Sequence, residues 1–369
     1  MNYPGRFSFP KTLELEMMTP HWKPRQEVSL QPSLSALRIG ILGTAGIGAN
    51  FVRGVSPSQK IKVSAVASRD QARAERFAQD HGITRFFGSY DELLADSEID
   101  AVYNPLPNSL HAHWSIRALE AGKHVLCEKP LATTSEDARA MFRVAEQTGL
   151  QLVEGYPYRS QPLTRKLRQI LAAGEIGRVE LIQASFGFPM TDASNIRLSP
   201  TLGGGALWDA GCYPISLVRM IAGECPIRVH AAATWISAQV DKTVVALFEF
   251  ASGLFAQVSC SFGTAVHRHA LIAGSAGIIE TTYWNNPPMG RPATLQLRRG
   301  TNWEAGFGYE SVEAPAVNGF LAEAESFFDL VTQGSSCWTG ATKAESIDIA
   351  RMIEAIKHSS QTGHAEAVH

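Results

Sequence analysis

In the stretch Gly203-Gly-Gly-Ala-Leu-Trp208-Asp209-Ala-Gly-Cys-Tyr213-Pro214, a carboxylate and a phenol stand four residues apart. On one helical turn that spacing places both side chains on the same side. Pro214 fits only near the start of a helix, which puts Tyr213 in a first turn. The three glycines ahead of the pair permit an irregular loop that can come close to a ligand. The chemistry open to such a pair is proton transfer at a hydroxyl. Asp209, at the usual pKa of about 4, is too weak a base for that, so the phenol would take the proton and hand it back. A free phenol titrates at about 10, and a nearby ammonium is needed to favour phenolate. Taken singly, Tyr213 reads as a core aromatic.

A second cluster is Gly43-Thr44-Ala45-Gly46-Ile47-Gly48. A dinucleotide loop needs a tight turn, a close backbone approach to the pyrophosphate and a close helix–strand contact. Gly43 and Gly48 fit the first and third tasks, while Ala45 stands where a second glycine is usual. Such a pattern is weak by itself, and its place at the head of an alternating series strengthens it. Further on, Ala67-Ser68-Arg69 ends an apolar run with no acid at its tip. A hydroxyl and a guanidinium are donors suited to a ribose 2′-phosphate, which favours NADP. Asp70, one residue later, keeps NAD open, since an acid there accepts from a free 2′-hydroxyl. An exposed arginine in a turn is the plain alternative.

The five cysteines are scattered without a CxxC pair, which argues against a disulfide framework or a structural zinc. His111-x-His113 and His267-x-His269 could each ligate a metal, but no matching carboxylate or cysteine cluster accompanies them, and no metal is expected.

The elements that must position these residues follow from the patterning. Leu37–Leu42 is a short apolar run ending in glycine, as in a buried parallel strand. After an amphipathic stretch come strands at 60–67, 100–104, 124–127 and 150–154, and helices at 71–81, 109–121 and 133–147. Gly82, Gly122 and Gly149 stop these helices, and Thr133-x-x-Glu136 reads as a capping box. This alternation predicts βαβ units and a doubly wound parallel sheet. Beyond Pro157 it stops. One helix, 163–172, precedes strands at 179–188, 227–237, 243–250, 254–262, 270–273 and 294–298, with Phe250–Leu254 a hairpin turn. Two amphipathic helices, 319–331 and 343–357, follow. The predicted organisation is an arm over residues 1–36, a nucleotide-binding domain over 37–156, and an α+β domain with a mainly antiparallel sheet over 157–369 whose last helix can pack back on the first domain. Five prolines make residues 1–36 an extended arm or a disordered tail.

At 369 residues the chain is long enough for two or three domains. With 45% apolar and 18% charged residues it has the composition of a globular protein. A net charge of −2 supplies no basic face for nucleic acid, and no run of 18 apolar residues spans a membrane. No basic region followed by an apolar stretch opens the chain, so a cytoplasmic protein is expected.

Cys127-Glu128-Lys129-Pro130-Leu131, taken with the glycine loop, resembles the glucose–fructose oxidoreductase, inositol dehydrogenase and rhizopine catabolism (Gfo/Idh/MocA) family. Asn104-Pro105-Leu106-Pro107-Asn108-x-x-His111 resembles that family's loop after the fourth strand, and Glu154-Gly-Tyr-Pro-Tyr158-Arg159 the entry to its second domain. The Gly203–Pro214 stretch is similar to its catalytic helix motif, and Gly274-Ser-Ala-Gly277 to a later turn. Five motifs in order, over roughly residues 37–360, make the resemblance specific. It implies a Rossmann domain, a second domain with a large open sheet used for substrate and oligomer contacts, and hydride transfer at a sugar carbon. Tyr213 stands where many relatives have His, and is like the glucose–fructose oxidoreductase, xylose dehydrogenase and dihydrodiol dehydrogenase branch.

The resemblance further implies that Lys129 is the ammonium beside Tyr213, bonding to substrate hydroxyl and cofactor, with a cis Lys129–Pro130 peptide. Asp209 then orients a substrate hydroxyl. The implied cofactor set is Gly43, Thr44, Ala45, Gly46, Ile47, Ser68, Arg69, Pro105, Leu106, Asn108, His111, Glu128, Lys129, Arg159 and Trp208. The expected reaction is NADP-dependent oxidation of an aldose at C1 to a lactone by a homodimer or homotetramer. Reduction of a ketosugar, oxidation of a dihydrodiol, and a catalytically silent nucleotide sensor are the alternatives.

Overall fold

The structure, a computed structural model, describes residues 34–301 and 308–368. The arm expected over residues 1–36 lies, up to residue 33, outside the described residues.

Leu37, Ile39, Ile41 and Leu42 are wholly buried in the first strand, β1 (Leu37–Leu42), as a strand covered on both faces requires. There follow α1 (Gly46–Val55), β2 (Ile61–Ala67), α2 (Gln71–His81), β3 (Arg85–Phe87), α3 (Tyr90–Ala95), β4 (Ala101–Asn104), α4 (His111–Glu120), β5 (His124–Glu128), α5 (Ser135–Thr148) and β6 (Leu152–Gly155). The six strands are parallel in the order β3-β2-β1-β4-β5-β6. The order reverses direction between β1 and β4, and ligands of such sheets bind beyond the strand ends at that switch. Two of these elements, β3 and α3, are absent from the sequence expectation, being three and six residues long and too short to show a period. The cap of α5 also sits one residue later than expected: Thr134, not Thr133, accepts from the Asp137 N–H at 3.0 Å.

The chain then forms α6 (Pro162–Ala172), β7 (Val179–Gly187), α7 (Cys212–Ala222), β8 (Arg228–Ser237), β9 (Val240–Glu249), β10 (Phe255–Ser261), β11 (His267–Gly274), β12 (Gly277–Thr281), β13 (Ala293–Arg299) and β14 (Glu310–Ala314). Next come α8 (Gly319–Gln333), α9 (Lys343–Thr362) and β15 (Glu366–Ala367). These nine strands make one sheet, antiparallel except for the β7–β10 pair. Phe250–Leu254 closes the β9–β10 hairpin, with the Gly253 N–H donating to the Phe250 carbonyl at 3.1 Å. Sequence patterning missed β12, β14 and β15: β14 reads Glu-Ser-Val-Glu-Ala, with little apolar content, and β15 has two residues.

One face of the large sheet is covered by α6, α7 and α9. The other leaves Val245, Leu247 and Phe255 exposed. The helix α8 leaves this sheet and packs on the first one, where Phe320, Ala324 and Phe327 join Leu37, Ile39 and Phe51 in a single core. The helix α9 lies between the two sheets, with Ala350 in the core of the first and Ile349, Met352 and Ile353 in that of the second. Among the described residues no helix is long and apolar enough to cross a membrane.

Candidate active site

The switch point between β1 and β4 opens into a cleft of about 460 Å³ whose far wall comes from the second domain. Lys129 directly follows β5, and its bond to Pro130 is cis, as the resemblance implied. Asp209 lies in a single π-helical turn, Leu207–Gly211, and Tyr213 in the first turn of α7 that continues it. The start of the π turn is held by Asp241, whose Oδ2 accepts from the Leu207 N–H at 2.7 Å. Gly205 makes this fit possible. It has φ +127°, and a Cβ there would collide with Asp241 Oδ1. Asn108 Nδ2 donates to the Gly203 carbonyl at 2.8 Å and so ties the two walls together.

Lys129, Asp209 and Tyr213 meet. Lys129 Nζ is 2.9 Å from Asp209 Oδ1, donates to the Asp209 carbonyl at 3.0 Å, and sits 5.1 Å from the Tyr213 ring centre. The second oxygen of Asp209 accepts from Arg197 Nε at 2.8 Å. Burial works against the charges on Lys129 and Asp209, but each is the other's partner: the Lys129 pKa ends well above the ordinary range and that of Asp209 below it. The phenol behaves differently. Burial raises Tyr213 to about 12, and the pull of Lys129 and Arg268 in the opposite direction does not overcome it. Lys129 thus acts on the phenol in the expected direction, lowering its pKa, but burial outweighs it and the phenol is not brought toward neutrality. Burial also raises the pKa of Glu128, whose Oε1 accepts from the Tyr103 hydroxyl at 2.6 Å.

Of the expected cofactor residues, Ala45, Gly46, Ile47, Pro105, Leu106, Asn108, His111, Glu128 and Lys129 line the cleft. Their arrangement fits a dinucleotide. The Ala45 side chain does not cap α1, so the first amides of that helix have no side-chain acceptor, and a Cβ on Gly46 would meet nothing within 4 Å. Gly43 turns with φ +86°, and a Cβ on Gly48 would sit 3.6 Å from Ile41. Thr44 follows Gly43 at the end of β1, and Ser68 and Arg69 follow the end of β2. Asp70 is occupied: its Oδ1 accepts from the Arg73 N–H at 3.2 Å as the cap of α2.

Arg159 and Trp208 are not brought to the cleft. The Arg159 guanidinium is buried and paired with Glu345 of α9, and Trp208 lines a separate pocket with Ser109, Glu354 and Lys357. His111 is buried with both ring nitrogens 2.7 Å from carbonyls, those of Pro130 and Leu106, and burial takes its pKa down to about 4. It clamps two loops of the cleft. Among the described residues no His, Cys, Asp and Glu group could hold a metal ion.

Three polar side chains of the cleft escaped the sequence reading: Arg197, Arg268 and Asn285. Arg268 carried a signal, as a charged residue in phase with the buried Ala270 and Ile272 of its strand. Asn285 lies in a loop and Arg197 in a single 3-10 turn, Ile196–Leu198, and neither carried one.

A parallel nucleotide sheet, an uncapped glycine turn and a lysine–carboxylate–phenol cluster between two domains define an oxidoreductase of the NAD-binding Rossmann class. The chain belongs to the GFO/IDH/MocA oxidoreductase family: the profile described as "Oxidoreductase family, NAD-binding Rossmann fold" matches residues 37–156, and the family's C-terminal domain matches residues 164–280. It is 36% identical over 331 residues to the D-xylose 1-dehydrogenase (NADP(+)) 2 of Haloferax volcanii, covering 89% of this chain and 99% of that one. It is likewise 36% identical to the trans-1,2-dihydrobenzene-1,2-diol dehydrogenase of Xenopus laevis, over 66% of this chain and 75% of that one. Among solved structures, a 3-ketoreductase from Actinomadura kijaniata in complex with NADP and TDP-benzene superposes with a TM-score of 0.79 at 30% identity, covering 88% of this chain and 98% of that one.

Proposed function

We propose that this protein transfers hydride between C1 of an aldose pyranose and NADP, giving a lactone. The observation that carries the reading is the meeting of Lys129, Asp209 and Tyr213 in one cleft with the uncapped turn of α1. A bound nicotinamide supplies the hydride acceptor. The protein does the rest. Lys129, charged at any working pH, donates to the reacting hydroxyl; Asp209 orients a neighbouring hydroxyl; Tyr213 Oη holds the proton that leaves as hydride departs. NADP is favoured over NAD because Ser68 and Arg69 end β2 as donors while Asp70 is used as a cap. The relatives' specificities, for xylose at C1 with NADP(+) and for a dihydrodiol, accord with an alcohol substrate. Incubation with NADP⁺ and a panel of pyranoses, read by absorbance of the reduced cofactor, tests the proposal; no reduction with any aldose overturns it.

Reduction of a ketosugar is the second reading. It is favoured by the phenol itself, which at about 12 is protonated and so poised to give a proton to a carbonyl oxygen. The open sheet face with Val245, Leu247 and Phe255 exposed supports a homodimer or homotetramer, and a monomer mass by light scattering would count against it.

A further inference from the structure

Arg268, on β11, is 4% exposed, and among the described residues no carboxylate pairs with it. Its guanidinium instead lies 3.8 Å from the ring centre of Tyr213, 4.5 Å from that of Phe186 and 5.0 Å from that of Tyr283. Among the described residues its Nε and Nη2 have no hydrogen-bond partner, and its Nη1 donates to Asn285 Oδ1 at 3.2 Å. A buried cation without a counter-ion is costly, so an arrangement that retains one asks for a reason.

The reason lies one bond further on. Arginine can only donate, so the Asn285 side chain must turn its oxygen to Arg268 and its NH₂ group away. That NH₂ group donates to Tyr213 Oη at 2.9 Å. The usual ambiguity between amide oxygen and nitrogen is removed here by the donor-only partner. With Asn285 occupying an acceptor site of the phenol oxygen, the phenol's own proton has to leave in another direction. Tyr156 and Phe186 close the ring's sides, at 5.6 and 5.5 Å between ring centres, and the open side is the cleft. Asn285 itself is fixed: Gln161 Nε2 donates to its carbonyl at 2.6 Å, and the next residue, Asn286, accepts from the Gly319 N–H at the start of α8 at 2.9 Å.

We propose that Asn285, aligned and polarised by Arg268, is the positioning residue for Tyr213, aiming the phenol proton into the cleft and stabilising the phenolate left when that proton moves. The assignment of Tyr213 as the proton-transferring group rests on the proposed function. Four further groups act on the phenol: the charges of Lys129, after β5, and Arg268 on β11 favour phenolate, while Glu128 of β5 and Cys212 of α7 oppose it. Asn285 adds a directed donor to this field, and a donor to an ionised oxygen is worth roughly twice a neutral one.

The test places 3,5-difluorotyrosine at position 213 of the full chain and follows its ionisation by ¹⁹F NMR against pH. Asn285→Leu should raise the midpoint by about one to two pH units, the worth of a hydrogen bond to a charged group. Arg268→Met should raise it as well, Arg268→Lys should bring it back toward wild type, and the Asn285→Leu/Arg268→Met pair should add less than the two single shifts. In the unfluorinated enzyme the same variants should move to higher pH the limb along which kcat for oxidation rises, while the KM for NADP holds. Should Arg268→Met fail to fold, Asn285→Leu and Asn285→Ser, at a half-buried loop position, decide the matter. An unchanged midpoint in a folded Asn285 variant overturns the proposal. A shifted midpoint in a protein that turns over no sugar leaves the relay standing and removes the proposed function instead.

Discussion

In the proposed reaction, Lys129 and Tyr213 divide the work of one proton. The lysine is held charged by Asp209, so an ionisation in the rate profile belongs to the phenol. Tyr213→Phe should keep the fold and cofactor binding and lower kcat by about 10²–10⁴. Lys129→Met should lose a comparable amount and the double variant little more, since groups acting as a unit are not additive; steady-state kinetics with the best pyranose checks both. At the other end of the cofactor, Arg69→Ala should raise the KM for NADP far more than that for NAD, and equal effects would remove Arg69 from the 2′-phosphate. The residue scale was legible where a motif carried it, though not everywhere: Lys129, Asp209, Tyr213 and Ala45, Gly46 and Ile47 of the glycine loop reach the cleft, while Arg159 and Trp208, from two other motifs, do not. It was illegible where the contact is made by tertiary placement. Arg197, from a single 3-10 turn, takes the second Asp209 oxygen, and Asn285 reaches Tyr213 only because α6 and α8 clamp its segment.

At the scale of elements, one π turn decides the site. Leu207–Gly211 joins a glycine loop to α7 and sets Asp209 against Lys129 while Tyr213 begins a regular helix. Its entry depends on Gly205, whose φ of +127° brings the backbone against Asp241. Gly205→Ala should therefore displace the Asp241–Leu207 bond and destabilise the protein by about 1–3 kcal/mol, the range for a strained backbone site; thermal unfolding and kcat should fall together. The i to i+4 spacing revealed that Asp209 and Tyr213 share a side, and Pro214 revealed where the helix starts. The π geometry left no trace in the sequence, because the carboxylate that holds its start, Asp241, comes from β9, more than thirty residues further on. The short β3 and α3 escaped for a simpler reason, each having less than two periods of pattern.

Over the whole molecule, acid is the weak direction. His124 is buried and neutral, its Nδ1 accepting a backbone N–H, with its pKa brought down by burial to about 4 from an ordinary 6.5. A depressed folded pKa means the unfolded chain binds the proton first, so the stabilisation is complete above about 6.5 and is lost as pH falls toward 4. At pH 5 this histidine costs about 2 kcal/mol relative to neutral pH. The Nδ1 of His124 accepts from the Gln151 N–H at 3.0 Å, a place that an asparagine oxygen can take. His124→Asn should therefore narrow the gap between the melting temperatures at pH 7.5 and pH 5, and an unchanged gap would clear His124 of the effect. The packing of α8 carries a different consequence, one of timing. Its Phe320 and Phe327 complete the core under β1, yet they are synthesised long after β6 closes the first sheet. At about 5–20 residues per second the ribosome needs roughly 10–35 s to bring α8 out. For that interval the nucleotide sheet stands with one apolar flank bare. A nascent chain stalled before residue 319 should be cut within its first sheet by a protease that the finished chain resists, so this protein spends the early part of its life as a client for whatever shields unfinished chains.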